Sequence, residues 1–173
     1  GPMDVVRAVA QVLNTLPAVR FTMIGDGPDL PACRQLATDL RIDHAIDWLP
    51  PQAHVSLPSI IATWDLSIMA SVCESFGVAA LESSAMYVPV VATDVGGVRD
   101  AVIHNETGLL VGSPGRPDAL AAGIVALLSD EQHRCTLGLN GRERVIQKFQ
   151  QSRLLHLWTR AYSKAAERRS IMV

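Results

Sequence analysis

The chain has 173 residues, 49% of them hydrophobic and 18% charged, a balance that excludes disorder and fits one domain with its own core. The formal net charge of −2 argues against nucleic acid as the main partner, yet it hides an asymmetry: residues 1–130 carry Arg7, Arg20, Arg34, Arg41, Arg99 and Arg116 against fourteen acids, while residues 131–173 carry nine basic residues against three acids. Cys33, Cys73 and Cys135 are scattered, so neither a disulfide framework nor a zinc site is suggested, and the apolar runs are broken by Pro58, Asp65 and Glu74, short of the roughly 18 residues of a membrane span. A reducing cytosol is the expected setting, and no signal-peptide pattern opens the sequence. Apolar residues at helical spacing over 3–15 predict an amphipathic helix that ends before Pro17. Residues 19–24 predict a strand closed by Gly25-Asp26-Gly27-Pro28, which reads as a turn rather than a dinucleotide fingerprint because no third glycine follows at the right distance.

A helix is expected over about 29–40, a second strand over 45–49 stopped by Pro50-Pro51, and a short helix over 53–62 that Pro58 either disturbs or begins. Residues 65–70 predict a third strand, with a helix following Ser75 and running to about Met86. A fourth strand at 89–92, a short helix at 98–103 and a fifth strand at 107–111 come next, then helices over about 117–129, 131–148 and 151–167. Short apolar strands alternating with helices predict an α/β, Rossmann-like parallel sheet with helices on both faces, built by right-handed crossovers. One domain over residues 1–173 is expected.

In such a sheet, ligands bind beyond the carboxyl ends of the strands. Ser71-Val72-Cys73-Glu74 and Thr93-Asp94-Val95-Gly96-Gly97 both fall there. Ser75 reads as a helix cap, and the N–H groups around Phe76, Gly77 and Val78 would form an anion site at the positive end of the helix dipole. The same pattern also describes an ordinary capped helix. Glu82 would lie two turns down that helix among alanines, where a carboxylate needs a partner; a ribose diol fits, and a solvated edge is the plain alternative. Gly96-Gly97 permits a tight turn. The five histidines, His44, His54, His104, His133 and His156, show no metal spacing and read as surface or satisfied core residues.

Taken together, these pieces resemble the carboxyl-terminal half of a retaining glycosyltransferase of the glycosyltransferase-B fold (group 1, or family 4 type). The resemblance rests on Ile24-Gly25-Asp26-Gly27-Pro28, on Glu74-Ser75-Phe76-Gly77 through Glu82, on Val88-Pro89-Val90-Val91-Ala92-Thr93, on Val95-Gly96-Gly97 and on Thr107-Gly108-Leu109-Leu110-Val111. It implies that Glu82 binds the ribose of a nucleotide-sugar donor and that Glu74, the catalytic candidate, contacts or positions the donor sugar. Ser75, Phe76, Gly77 and Val78 would hold the diphosphate and sugar, and Gly96 and Gly97 would shape the donor loop. The base would lie near Trp48-Leu49-Pro50. Neither a metal nor any other cofactor is implied. An inactive fragment at the cytoplasmic side is expected, with an amino-terminal acceptor domain as its missing partner.

The sequence departs from the family pattern at Ala70, where a proline is usual, at Tyr87, where a glycine is usual, and at Arg99, where a proline is usual. The family's first strand, with its arginine and lysine, is also absent. The expected strand order is second, first, gap, third, fourth, fifth, so that either the gap closes or an exposed edge drives self-association. Leu154, Leu155, Leu157, Trp158 and Tyr162 mark a last helix, within 151–173, that would pack onto the missing domain, its arginines suited to anionic lipid at the inner face of the membrane. Two other functions remain open at this level: a nucleotide-sugar epimerase on the same fold, and a non-catalytic binding or assembly module.

Overall fold

The computed structural model describes residues 1–170, apart from the side chains of residues 151–154, 165 and 167–170; the expected apolar contact of Leu154 and the expected domain's residues 171–173 lie outside this set. The elements run α1 (Pro2–Thr15), β1 (Phe21–Ile24), α2 (Leu30–Asp39), β2 (Ile46–Leu49), α3 (Leu57–Ile61), β3 (Ser67–Met69), α4 (Val78–Ala85), β4 (Val90–Ala92), α5 (Val98–Ala101), β5 (Gly108–Leu110), α6 (Pro117–Ser129), α7 (Glu131–Arg144) and α8 (Gln151–Ser170). All strand pairs are parallel, with Met23 opposite Trp48, Ile68 opposite Val91 and Val91 opposite Leu109.

β4 shows why the sheet is covered on both faces. Its three residues are fully buried, and successive side chains point to opposite faces. Val91 joins the larger core with Val6, Val9 and Val12 of α1 and Leu120, Ile124 and Leu127 of α6. Val90 and Ala92 face the other way, onto Ala80 of α4 and Val98 and Ala101 of α5. Each such buried valine contributes about 1.5–3 kcal/mol. Val6, Val9 and Val12 recur every third residue, which gives α1 the buried stripe read from its sequence. Asp4 fixes its entry, because its Oδ2 accepts from the Gly115 N–H at 3.1 Å, just ahead of α6.

The expected strand order is observed in two pieces. β1 pairs with β2, while β3, β4 and β5 form a second ladder in that order; no ladder joins β1 to β3 among the described residues. The break does not close, and β1 and β3 each keep an unpaired edge, both less covered than β4. Gly1 packs at the carboxyl end of β3, where a Cβ would come within 2.5 Å of the Ala70 carbonyl oxygen.

Three helix boundaries differ from expectation. Residues 53–62 split into a 3-10 turn, His54–Ser56, followed by α3. Pro58 sits in the first turn of α3, where its missing N–H has no intrahelical acceptor to lose. The helix expected to reach residue 148 stops at Arg144 and passes through one π-helical turn, Val145–Phe149. The third difference, the start of α4, belongs to the candidate site.

Candidate functional site

The carboxyl ends of the strands form one rim with two parts. Beyond β1 and β2 lies a cavity of about 420 Å³, bordered by Ile24, Gly25, Asp26, Trp48, Pro50 and Pro51. Gly25 and Gly27 have φ of 124° and 153°, so this segment is the expected turn as well as a cavity wall. Trp48 is held on two sides. Its indole Nε1 donates to Asp43 Oδ1 at 3.1 Å, and the Arg34 guanidinium lies 5.4 Å from its ring centroid, within cation–π range.

Beyond β3 and β4, two loops are pressed together. The Gly97 N–H donates to the Glu74 carbonyl at 2.9 Å. A Cβ on Gly96 would stand 2.5 Å from that same carbonyl oxygen, and one on Gly97 would collide with the Ser75 carbonyl. The glycine pair is therefore required by backbone-to-backbone approach. Thr93 ties the strand ends below, its buried Oγ1 donating to the Ser71 carbonyl at 2.7 Å.

Ser75 does not cap α4. The cap is Gly77, with φ of 87°, and the helix begins at Val78. The loop spends residues 74–76 on its contact with Gly97, and only a glycine turns readily into the helix from there. Glu82 consequently stands just over one turn into α4 rather than two. The Glu74 carboxylate folds back instead: its Oε1 accepts from the N–H groups of Ser75, at 3.1 Å, and Phe76, at 3.3 Å. The amides of Gly77, Val78 and Ala79 have no acceptor among the described residues, as the first turn of a helix leaves them.

Glu82 has a partner that local sequence did not reveal. His54 Nε2 lies 2.8 Å from Glu82 Oε1. The glutamate side chain is 31% exposed and the histidine 84%, so this is a rim contact and not a buried pair. The Phe76 ring was also missed as a packing group. It meets Phe149 edge to face at 5.7 Å, and Arg144, donating to the Asp100 carbonyl at 2.7 Å, places its guanidinium 5.5 Å from the Phe149 ring centroid. Tyr87 has φ of 64°, which explains why that helix end favours glycine, and the Arg142 guanidinium stacks 5.5 Å from its ring. Arg99 is engaged at the rim: it makes a two-point contact with Asp94, at 2.6 and 3.1 Å, that holds the Asp94 carboxyl below its usual range.

Among the described residues, no cluster of three or more His, Cys, Asp or Glu has metal-ligand geometry, and no helix is long and apolar enough to cross a membrane. Fold and rim together define a Rossmann-like α/β domain, a class whose ligands bind beyond the carboxyl ends of the strands. The chain belongs to the glycosyl transferases group 1 family, whose model matches residues 1–144, and it corresponds to the carboxyl-terminal domain of glycosyltransferase-B enzymes. It is 31% identical over 159 residues to the N-acetyl-alpha-D-glucosaminyl L-malate synthase of Bacillus anthracis, covering 92% of this chain and 41% of that protein's length. Among solved structures it is similar to Anabaena HepE in complex with UDP, with a TM-score of 0.86 and 26% identity over 93% of this chain and 44% of that one. The C-terminal domain of LpcC, a group 1 family protein of Francisella tularensis, matches with a TM-score of 0.78 and 27% identity over 87% of this chain and 80% of that one.

Proposed function

We propose that this chain is the donor-binding half of a glycosyltransferase that takes a sugar from a nucleotide diphosphate and transfers it with retention of configuration, without a metal ion. The observation that carries the reading is the row of unpartnered amides at Gly77, Val78 and Ala79, set between Glu74 and Glu82 at the positive end of α4. Such a row attracts a diphosphate. The base would occupy the cavity beside Trp48, and the ribose diol would hydrogen-bond to Glu82. UDP in the similar HepE structure supports a nucleotide as the ligand.

Glu74 gains a defined task in this reading. In the structure its carboxylate holds the Ser75 and Phe76 amides. An arriving diphosphate would take over those donors, and the released carboxylate would turn to the hydroxyls of the sugar. Glu74 is assigned as a positioning group for the donor sugar, with no covalent role. The leaving diphosphate would be stabilised by the α4 dipole and its amides.

The whole reaction calls for more than these residues. An acceptor-binding domain and a basic pair facing the diphosphate are both proposed as parts of a longer protein, and the chain alone is expected to bind donor without turning it over. Leu155, Trp158 and Tyr162 of α8 are 59–68% exposed and share one helix face, an apolar stripe suited to packing on that other domain. Calorimetry with UDP-, GDP- and ADP-sugars tests the reading. One of them should bind, and Glu82→Ala should weaken it about tenfold or more, the size of a lost charged hydrogen-bond pair. Absence of binding to all three would sink the proposal.

A further inference from the structure

We infer that His54 is a positioning residue for the nucleotide's ribose, acting through Glu82. The inference rests on the proposed reading of Glu82 as the ribose grip. The glutamate side chain has three rotatable bonds and a partly open setting, so an unheld carboxylate would lose rotamer freedom on gripping a diol. His54 removes that freedom beforehand: its Nε2 is 2.8 Å from Oε1, and it is the hydrogen-bond partner of the carboxylate among the described residues. A carboxylate only accepts, so the imidazole carries the proton at Nε2. One lone pair is then committed, and Oε2 together with the second lone pair of Oε1 remains for two hydroxyls.

The placement of His54 adds a second argument. It opens the 3-10 turn His54–Ser56, three residues beyond Pro51, which borders the cavity proposed for the base. The segment that walls the base end therefore also aims the carboxylate for the ribose, and the contact spans 28 residues of sequence to reach α4. At 84% exposed, the imidazole packs against little, and an exposed pair of this kind contributes little to fold stability. Loss of His54 should appear in ligand affinity rather than in folding.

The test is calorimetry on the 173-residue chain, using whichever of UDP, GDP and ADP binds tightest and its dideoxy counterpart, which lacks both ribose hydroxyls. His54→Ala should weaken the ribonucleotide about fivefold, the scale of one exposed charge-assisted contact. It should leave the dideoxy nucleotide unchanged and add nothing in a Glu82→Ala background. His54→Gln, which keeps an N–H donor, should restore most of the affinity. An unchanged affinity in His54→Ala alongside a weakened Glu82→Ala overturns the role of His54 alone, as does an equal loss with the dideoxy nucleotide. No effect of Glu82→Ala, or no binding by the unsubstituted chain, overturns the ribose reading and this inference with it.

Discussion

The two parts of the rim are both rich in glycine, and the glycines do different work. At the cavity, Gly25 and Gly27 adopt φ values that side chains avoid, yet a Cβ on either would meet nothing within 4 Å. Beside α4, a Cβ on Gly96 or Gly97 would run into the backbone of Glu74 and Ser75. The first part is an open turn whose shape is set by torsion alone. The second is two loops in direct contact, fastened by the Gly97–Glu74 hydrogen bond. Loops that must present amides to a charged group in fixed positions are held this way, since preorganised donors need no rearrangement when the ligand arrives.

Substitutions at the two parts should separate them. Gly97→Ala forces the two loops apart and should cost about 3 kcal/mol, read as a fall in the urea midpoint, with nucleotide affinity lost as the Glu74 loop shifts. Gly25→Ala meets only the torsional penalty, roughly 1–2 kcal/mol. Equal losses at the two positions would erase the distinction. The smallest effect belongs to Asp94, whose carboxyl is lowered chiefly by its hydrogen bond from Arg99, with burial opposing. A carboxyl depressed in the folded chain stabilises above its unfolded value, about 3.9, and that stability is lost as pH falls through the folded value. Asp94→Asn should flatten this acid decline slightly, in low salt more than in high, because the pair is exposed. Identical thermal midpoints for both chains across the acid range would contradict it.

Much of the architecture was legible because it rests on local pattern. Five apolar runs punctuated by glycine and proline became five parallel strands, while the strand order, break included, was implied by the family resemblance with its first strand absent. Tyr87, which stands where the family pattern has a glycine, takes a left-handed backbone. The details of the site were less legible because they depend on distant contacts. Ser75 has the chemistry of a cap, but the loop's hydrogen bond to Gly97, 22 residues on from Ser75, moves the helix start to Val78. His54 carried no motif, and only the fold brings it to Glu82. The meeting of Phe76 with Phe149 likewise needs the π-helical turn, which no periodicity in the sequence announces. Glu74 could be singled out from spacing, but its turn back onto the Ser75 and Phe76 amides could not, since that geometry exists only once the loop is fastened.

The central claim is that the α4 amides receive a nucleotide diphosphate. An amide-resolved NMR titration with UDP, GDP and ADP measures it most directly. The account predicts that at least one of them shifts the signals of Gly77, Val78 and Ala79 most strongly, and those of Ser75 and Phe76 as the Glu74 carboxylate is displaced. Saturable shifts confined to other parts of the chain, with these five amides unmoved, would contradict it.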